Sequence, residues 1–188
     1  MKPEYVEVKN KKYKINSDYR IALECELIAK DESINDYERA LAIIYKLFGD
    51  IGLNDKDNWN ELLELAVRYL KCDKEVEEDD EDEPNMDFYQ DKSFIEASFR
   101  SDYKIDLEKE NMHWWTFCDL LNGLTENCVL NRVRYIRDYD ISKIKDEKEK
   151  KKWIKQKEAV ALNRQKRNLD ERQIEQSDKF YKSLNGGE

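Results

Sequence analysis

Between Tyr89 and Leu162 the chain gathers three of its four tryptophans with tyrosines and phenylalanines, around the run Met112-His113-Trp114-Trp115-Thr116-Phe117. Charged residues make up 41% of the sequence, so a core can form only where the large apolar groups are concentrated. Each buried aromatic removes about 150–250 Å² from water, which makes this stretch the expected seat of the core.

Periodicity outlines the elements around it. Tyr5-Val6-Glu7-Val8 and Tyr13-Lys14-Ile15 alternate apolar with polar residues about Lys9-Asn10-Lys11-Lys12, the pattern of a short β-hairpin. A lone hairpin is marginal in water, so its Val6, Val8 and Ile15 side must lie against helices. Ser17 is expected to cap a helix that turns Ile21, Cys25 and Ile28 inward, flanked by Leu23 and Leu27. Asp36 is expected to cap a second helix, carrying Tyr37, Ala40, Leu41, Ile44, Leu47 and Phe48 and stopped by Gly49, where a left-handed residue is usual. A third, from about Asp57 to Lys71, places Trp59, Leu62, Leu63, Ala66, Tyr69 and Leu70 on one face.

Further along, a helix around Asp91–Tyr103 shows Ile95, Phe99 and Tyr103 at fours with Phe94 alongside. The stretch Asp106–Asn122 is apolar nearly all round, with a polar stripe through Lys109, His113 and Thr116, and reads as a central helix ended by Gly123. Thr125 is expected to cap a helix with Val129, Val133 and Ile136 inward. From Ser142 a long segment of high helix propensity begins, whose apolar residues thin out after Trp153, Ile154, Val160 and Leu162. The predicted fold is mainly α: a multi-helix domain with a short N-terminal β-hairpin and a long charged C-terminal helix. Trp59, Phe99, Trp114, Trp115 and Phe117 are its expected core anchors.

The formal charge of −9 hides an asymmetry. Asp73–Glu83 is nearly pure acid with one valine and no aromatic, whereas Lys143–Arg167 is dominated by lysine and arginine. The acidic block has too little apolar surface to order itself and reads as a tether. The organisation expected is a hairpin plus helical lobe (1–72), an acidic flexible linker (73–87), a helical core lobe (88–162) and a charged helical or partly disordered tail (163–188). Whether the two helical groups pack as one domain or as two lobes stays open at this level.

Several chemistries are disfavoured. There is no twenty-residue apolar segment to cross a bilayer, and the N-terminus has no apolar region of a secretory signal; a soluble protein that stays in the cytoplasm is expected. The four cysteines lack CxxC spacing and read as free thiols. His113 is the only histidine, and Cys118, five residues on along a helix, would point away from it. Residues 79–87 lack the glycine and spaced order of a calcium loop, and no phosphate-cradling loop or nucleophile elbow occurs. Trp114-Trp115 beside a basic run could stack on bases, but an acidic chain with its tryptophans inside an apolar helix favours core packing. No enzyme, cofactor, metal, membrane or nucleic-acid partner is expected.

The segments FIEASFRSDYKIDL, MHWWTFCDLLNGL and VRYIRDYDISKIKDEKEKKKW, in that order and spacing, together with YKINSDYRIALECELIAKD near the start, carry a resemblance. From about Tyr5 to Leu162 the chain resembles the tailed-phage and prophage family called bacteriophage gene product fifteen. Genes of that family usually lie beside the tape-measure gene of long-tailed phages. The resemblance implies a non-catalytic tail-assembly protein, a chaperone that binds the tape-measure protein or other tail proteins in the host bacterial cytoplasm. The alternatives are a structural tail component, homo-oligomeric through a self-complementary surface, and a nucleic-acid-binding accessory protein using Lys143–Arg167. Partner contact is expected at Trp153, Ile154, Leu162 and Leu169, on the sparse apolar stripe of the C-terminal helix.

Overall fold

Lys9 and Asn10 both adopt positive φ, 47° and 66°, the geometry of two-residue turns whose twist matches antiparallel strands. They join β1 (Tyr5–Val8) to β2 (Lys11–Lys14), with Val6 opposite Tyr13 and Val8 opposite Lys11. The expected hairpin is thus present, and Val8, Tyr13 and Ile15 on its inner side are buried. The Tyr13 hydroxyl donates to Asp55 at 2.6 Å and accepts from the Asn58 amide at 3.1 Å. Lys11 bonds the same Asp55 oxygen at 2.5 Å.

The computed structural model describes residues 2–74 and 85–163. Most of the acidic run and the tail containing Leu169 lie outside the described residues. Two compact units divide them, 2–74 with 91–132 and 85–90 with 133–163. The first unit therefore draws on both sides of the acidic run.

In the first unit α1 (Tyr19–Lys30) is capped by Asp18 rather than Ser17, the Asp18 carboxylate accepting from Arg20 N–H at 2.8 Å. Helix α2 (Asp36–Leu53) is capped by Asn35 rather than Asp36. Asn35 accepts from Glu38 N–H at 2.9 Å while Glu38 accepts from Asn35 N–H at 3.1 Å, a reciprocal box that satisfies two orphan donors. Gly49, φ 63° and ψ −160°, interrupts α2 where a stop is expected, but one further turn follows it. Leu27 and Tyr37 face outward, 41% and 62% exposed, because the inner faces narrow to Ala22 and Cys25 on α1 and to Ile44, Leu47 and Phe48 on α2. A 3-10 turn (Lys56–Asn58) leads into α3 (Trp59–Leu70), which buries Leu62, Ala66 and Tyr69.

Helix α4 (Lys92–Tyr103) turns Ile95, Ser98 and Phe99 inward. The Ser98 hydroxyl donates to Phe94 O at 2.7 Å and accepts from Leu130 N–H at 3.0 Å, so this buried polar group is satisfied. The next helix, α5, spans only Trp114–Asn122. The expected helix from Asp106 is corrected here: its first eight residues form turns and extended chain. Tyr19 N–H donates to Met112 O at 2.9 Å and Trp114 N–H to Ser17 O at 2.8 Å, with a bridge between Asp18 and His113. This long-range pairing takes up backbone groups that local helix would use. Phe117 then stands at the centre of the core, stacked on Tyr19 at 4.8 Å, Phe99 at 5.3 Å and Trp114 at 5.7 Å. Gly123 ends α5 at φ −86°; a Cβ there would meet the Tyr103 hydroxyl at 3.0 Å, so glycine serves close approach.

Helix α6 (Val129–Asp138) crosses the division between the units, which falls after Arg132. Thr125 does not cap it; its N–H and hydroxyl both donate to Asp102, at 2.9 and 2.8 Å. Val129 is 39% exposed, and Cys128, Leu130 and Val133 are the buried residues, because the helix starts at Val129 and so presents a shifted face. The second unit holds the end of α6, a 3-10 turn (Ile141–Lys143) and α7 (Glu147–Val160), which is capped by Asp146 and has no buried residue.

Candidate partner-binding surfaces

In the first unit the tandem tryptophans carry out a structural task. The Trp114 indole N–H donates to Leu70 O at 3.0 Å and the Trp115 indole N–H to Tyr69 O at 2.9 Å. A helix leaves its last carbonyls unpartnered, and these donors close the end of α3. Trp114 is 3% exposed; Trp115 is half-buried and stacks on Tyr69 at 6.0 Å. Among the other expected anchors, Phe99 and Phe117 are 0% and 1% exposed. Trp59 is half-buried, its indole donating to Leu53 O at 3.0 Å and its ring meeting the edge of Tyr37.

His113 lies at the start of α5 rather than in a helical stripe. Its Nδ1 accepts from Trp115 N–H at 3.1 Å, and Nε2 lies 3.1 Å from Pro3 O. That pairing requires the proton on Nε2, so both nitrogens are committed to backbone. Cys118 instead neighbours Cys72. No histidine–cysteine pair is assembled.

A groove of about 880 Å³ opens in the same unit between β2, the Gly49 break and residues 111–113. Lys14 and Lys46 line it together with Asp18 and Asp50, so its charges balance. Burial drives the Cys25 thiol up to about 12. Among the described residues no group of three or more His, Cys, Asp or Glu side chains could hold a metal ion, and no helix is long and apolar enough to cross a membrane.

Large apolar side chains remain in solvent on helix faces of each unit. On α2 these are Tyr37, Tyr45 and Ile51, the last 64% exposed. Tyr37 and Tyr45 are eight residues apart with half-buried Leu41 between them, so all three follow one face. In the second unit Tyr135 is 59% exposed and Ile154 36%. Trp153, expected to meet a partner, is half-buried, stacked on Tyr139 at 4.0 Å and edge-on to Tyr135 at 6.3 Å. Leu162 is half-buried at the end of the described chain. The α2 stripe could have been read from Tyr45, eight residues after Tyr37, a signal masked because Tyr37 fits the inner-face spacing.

These features define a mainly α-helical protein with an N-terminal hairpin and apolar patches left on helical faces. Residues 2–162 match the family model for Bacteriophage Gp15 protein. The chain belongs to that family, and is a phage-related protein. No curated protein and no solved structure matches it.

Proposed function

We propose that this chain is a non-catalytic phage tail-assembly protein, a chaperone that binds the tape-measure protein in the host bacterial cytoplasm while the tail forms. Membership of the phage family supplies the setting. The observation that carries the reading is the set of large apolar side chains left in water on α2, and on α6 and α7: Tyr37, Tyr45 and Ile51, and Tyr135 and Ile154. Exposed apolar residues at helical spacing suit an amphipathic helical partner. A partner segment whose apolar face is temporarily uncovered is kept from aggregating by mass action when such a surface occupies it.

Co-expression with the tape-measure protein of the same genome, followed by affinity capture and gel filtration, tests this. A soluble complex is expected, together with more soluble tape measure. Tyr45→Asp with Ile51→Asp, or Tyr135→Asp with Ile154→Asp, should weaken it while circular dichroism stays helical. No complex, with the chain found in purified particles instead, would replace the chaperone by a structural tail component.

A further inference from the structure

The indole bonds that close α3 also bring two cysteines together. Cys72 is the second residue past Leu70, whose carbonyl receives the Trp114 indole. Cys118 lies four residues after Trp114 and three after Trp115, on the helical face they share. The same clamp that presses Trp114 and Trp115 against the end of α3 therefore delivers both thiols to one place, near enough for each to act on the ionisation of the other. Both residues are partly exposed, whereas Cys25 is 0% and Cys128 3% exposed. A small reagent thus meets two of the four thiols, and those two are neighbours.

We propose that Cys72 and Cys118 are a modification site, a thiol pair that forms a reversible internal disulfide when it meets a peroxide and so pins the end of α3 to α5. Cys72 is the attacking member. Burial raises both thiols, but the nearby Cys118 favours the Cys72 thiolate, and the nearby Cys72 disfavours ionisation of Cys118. The Cys72 thiolate attacks one peroxide oxygen; the O–O bond breaks, Cys72 becomes a sulfenic acid, and hydroxide leaves to be protonated to water. The Cys118 sulfur then attacks the sulfenic sulfur, the S–O bond breaks, and the departing hydroxide takes the Cys118 proton as a second water. Two thiols and one peroxide give one disulfide and two waters. A dithiol reductant reverses the change.

The full chain, folded and reduced, is treated with hydrogen peroxide, then unfolded, alkylated and digested for mass spectrometry. A linked peptide joining Cys72 to Cys118, two hydrogens lighter than the sum, is expected, with Cys25 and Cys128 fully alkylated. The thermal midpoint should rise by about 5–10 °C, since the bond closes a long loop, and fall back with dithiothreitol. Cys118→Ser should stop Cys72 at the sulfenic acid, which dimedone captures. Full alkylation of Cys72 and Cys118 after peroxide has converted glutathione in the same tube would overturn the assignment. So would a bond between two chains, or an internal bond that leaves the midpoint unchanged or lowers it.

Discussion

The two units finish their helices with different chemistry. In the first, α3 ends against the indoles of Trp114 and Trp115, and α5 against the hydroxyl of Tyr103, which donates to Leu120 O at 2.9 Å. In the second, Lys157 donates to Tyr139 O just past α6 at 2.7 Å, and Arg137 donates to Val160 O at the end of α7 at 2.6 Å. Aromatic donors bring a large apolar body with their single polar group, so one side chain both closes a helix and fills the core. Cations complement the negative end of the helix dipole and keep working in water, but they fill little space. A region rich in aromatics can therefore build depth, and a lysine-rich region must hold a thin core by charge and by one stacked tryptophan.

Phe117→Ala should be the harshest test, because it empties the centre of three ring stacks: a loss of about 3–5 kcal/mol is expected in urea unfolding. Trp153→Ala should cost less, about 1–2 kcal/mol, since the ring is only half-buried. Hydrogen exchange should then quicken over residues 147–163 and not around Phe99 and Phe117. Equal loosening in both places would abolish the distinction between the units.

Trp114→Phe and Arg137→Gln sharpen it, each removing a donor at a cost of about 1 kcal/mol. Raising the salt to about 1 M should leave the Trp114→Phe penalty unchanged and shrink the Arg137→Gln penalty, because only the second acts through charge. Asn35→Ala, which dismantles the cap of α2, should cost about 1 kcal/mol at either salt.

The smallest effect is on acid stability. Asp55 is held down to about 2 by the bond from Lys11 and then that from Tyr13, against an ordinary 3.8. As pH falls below 3.8 the unfolded chain takes up the proton first, so the contribution of this group is present above that value and lost on the way down to about 2. Asp55→Asn should remove that part of the acid transition, measured as the midpoint of unfolding against pH.

Much of the fold could be read from periodicity. The hairpin, the faces of Leu47 with Phe48 and of Ile95 with Phe99, the left-handed Gly49 and the burial of Phe117 all follow from spacing within one element. What escaped depends on distant residues. Leu107 and Met112 keep helical spacing with Trp115, yet Ser17 and Tyr19 claim the backbone around His113 and no helix forms there. Tyr13 is buried because Asp55 accepts from its hydroxyl and the Asn58 amide donates to it, a partnership more than forty residues away. Two caps were misplaced by one position because both neighbours were good capping residues, although Glu38 three places after Asn35 marked the correct one. For the partner surface, Tyr37 has the inner-face rhythm of Ala40, Leu41 and Ile44, so the spacing places it inward although it is 62% exposed.

The indole clamp has a consequence for the order of synthesis. Tyr69 and Leu70 leave the ribosome 46 and 44 residues before the tryptophans that complete their helix. At roughly 5–20 residues per second the unfinished end of α3 waits for several seconds. During that interval the face carrying Leu62, Ala66 and Tyr69 lacks Trp114 and Trp115, and the next stretch to emerge is the acidic run. Like charges in that run repel one another, and the tryptophans that cover this face of α3 arrive only after it.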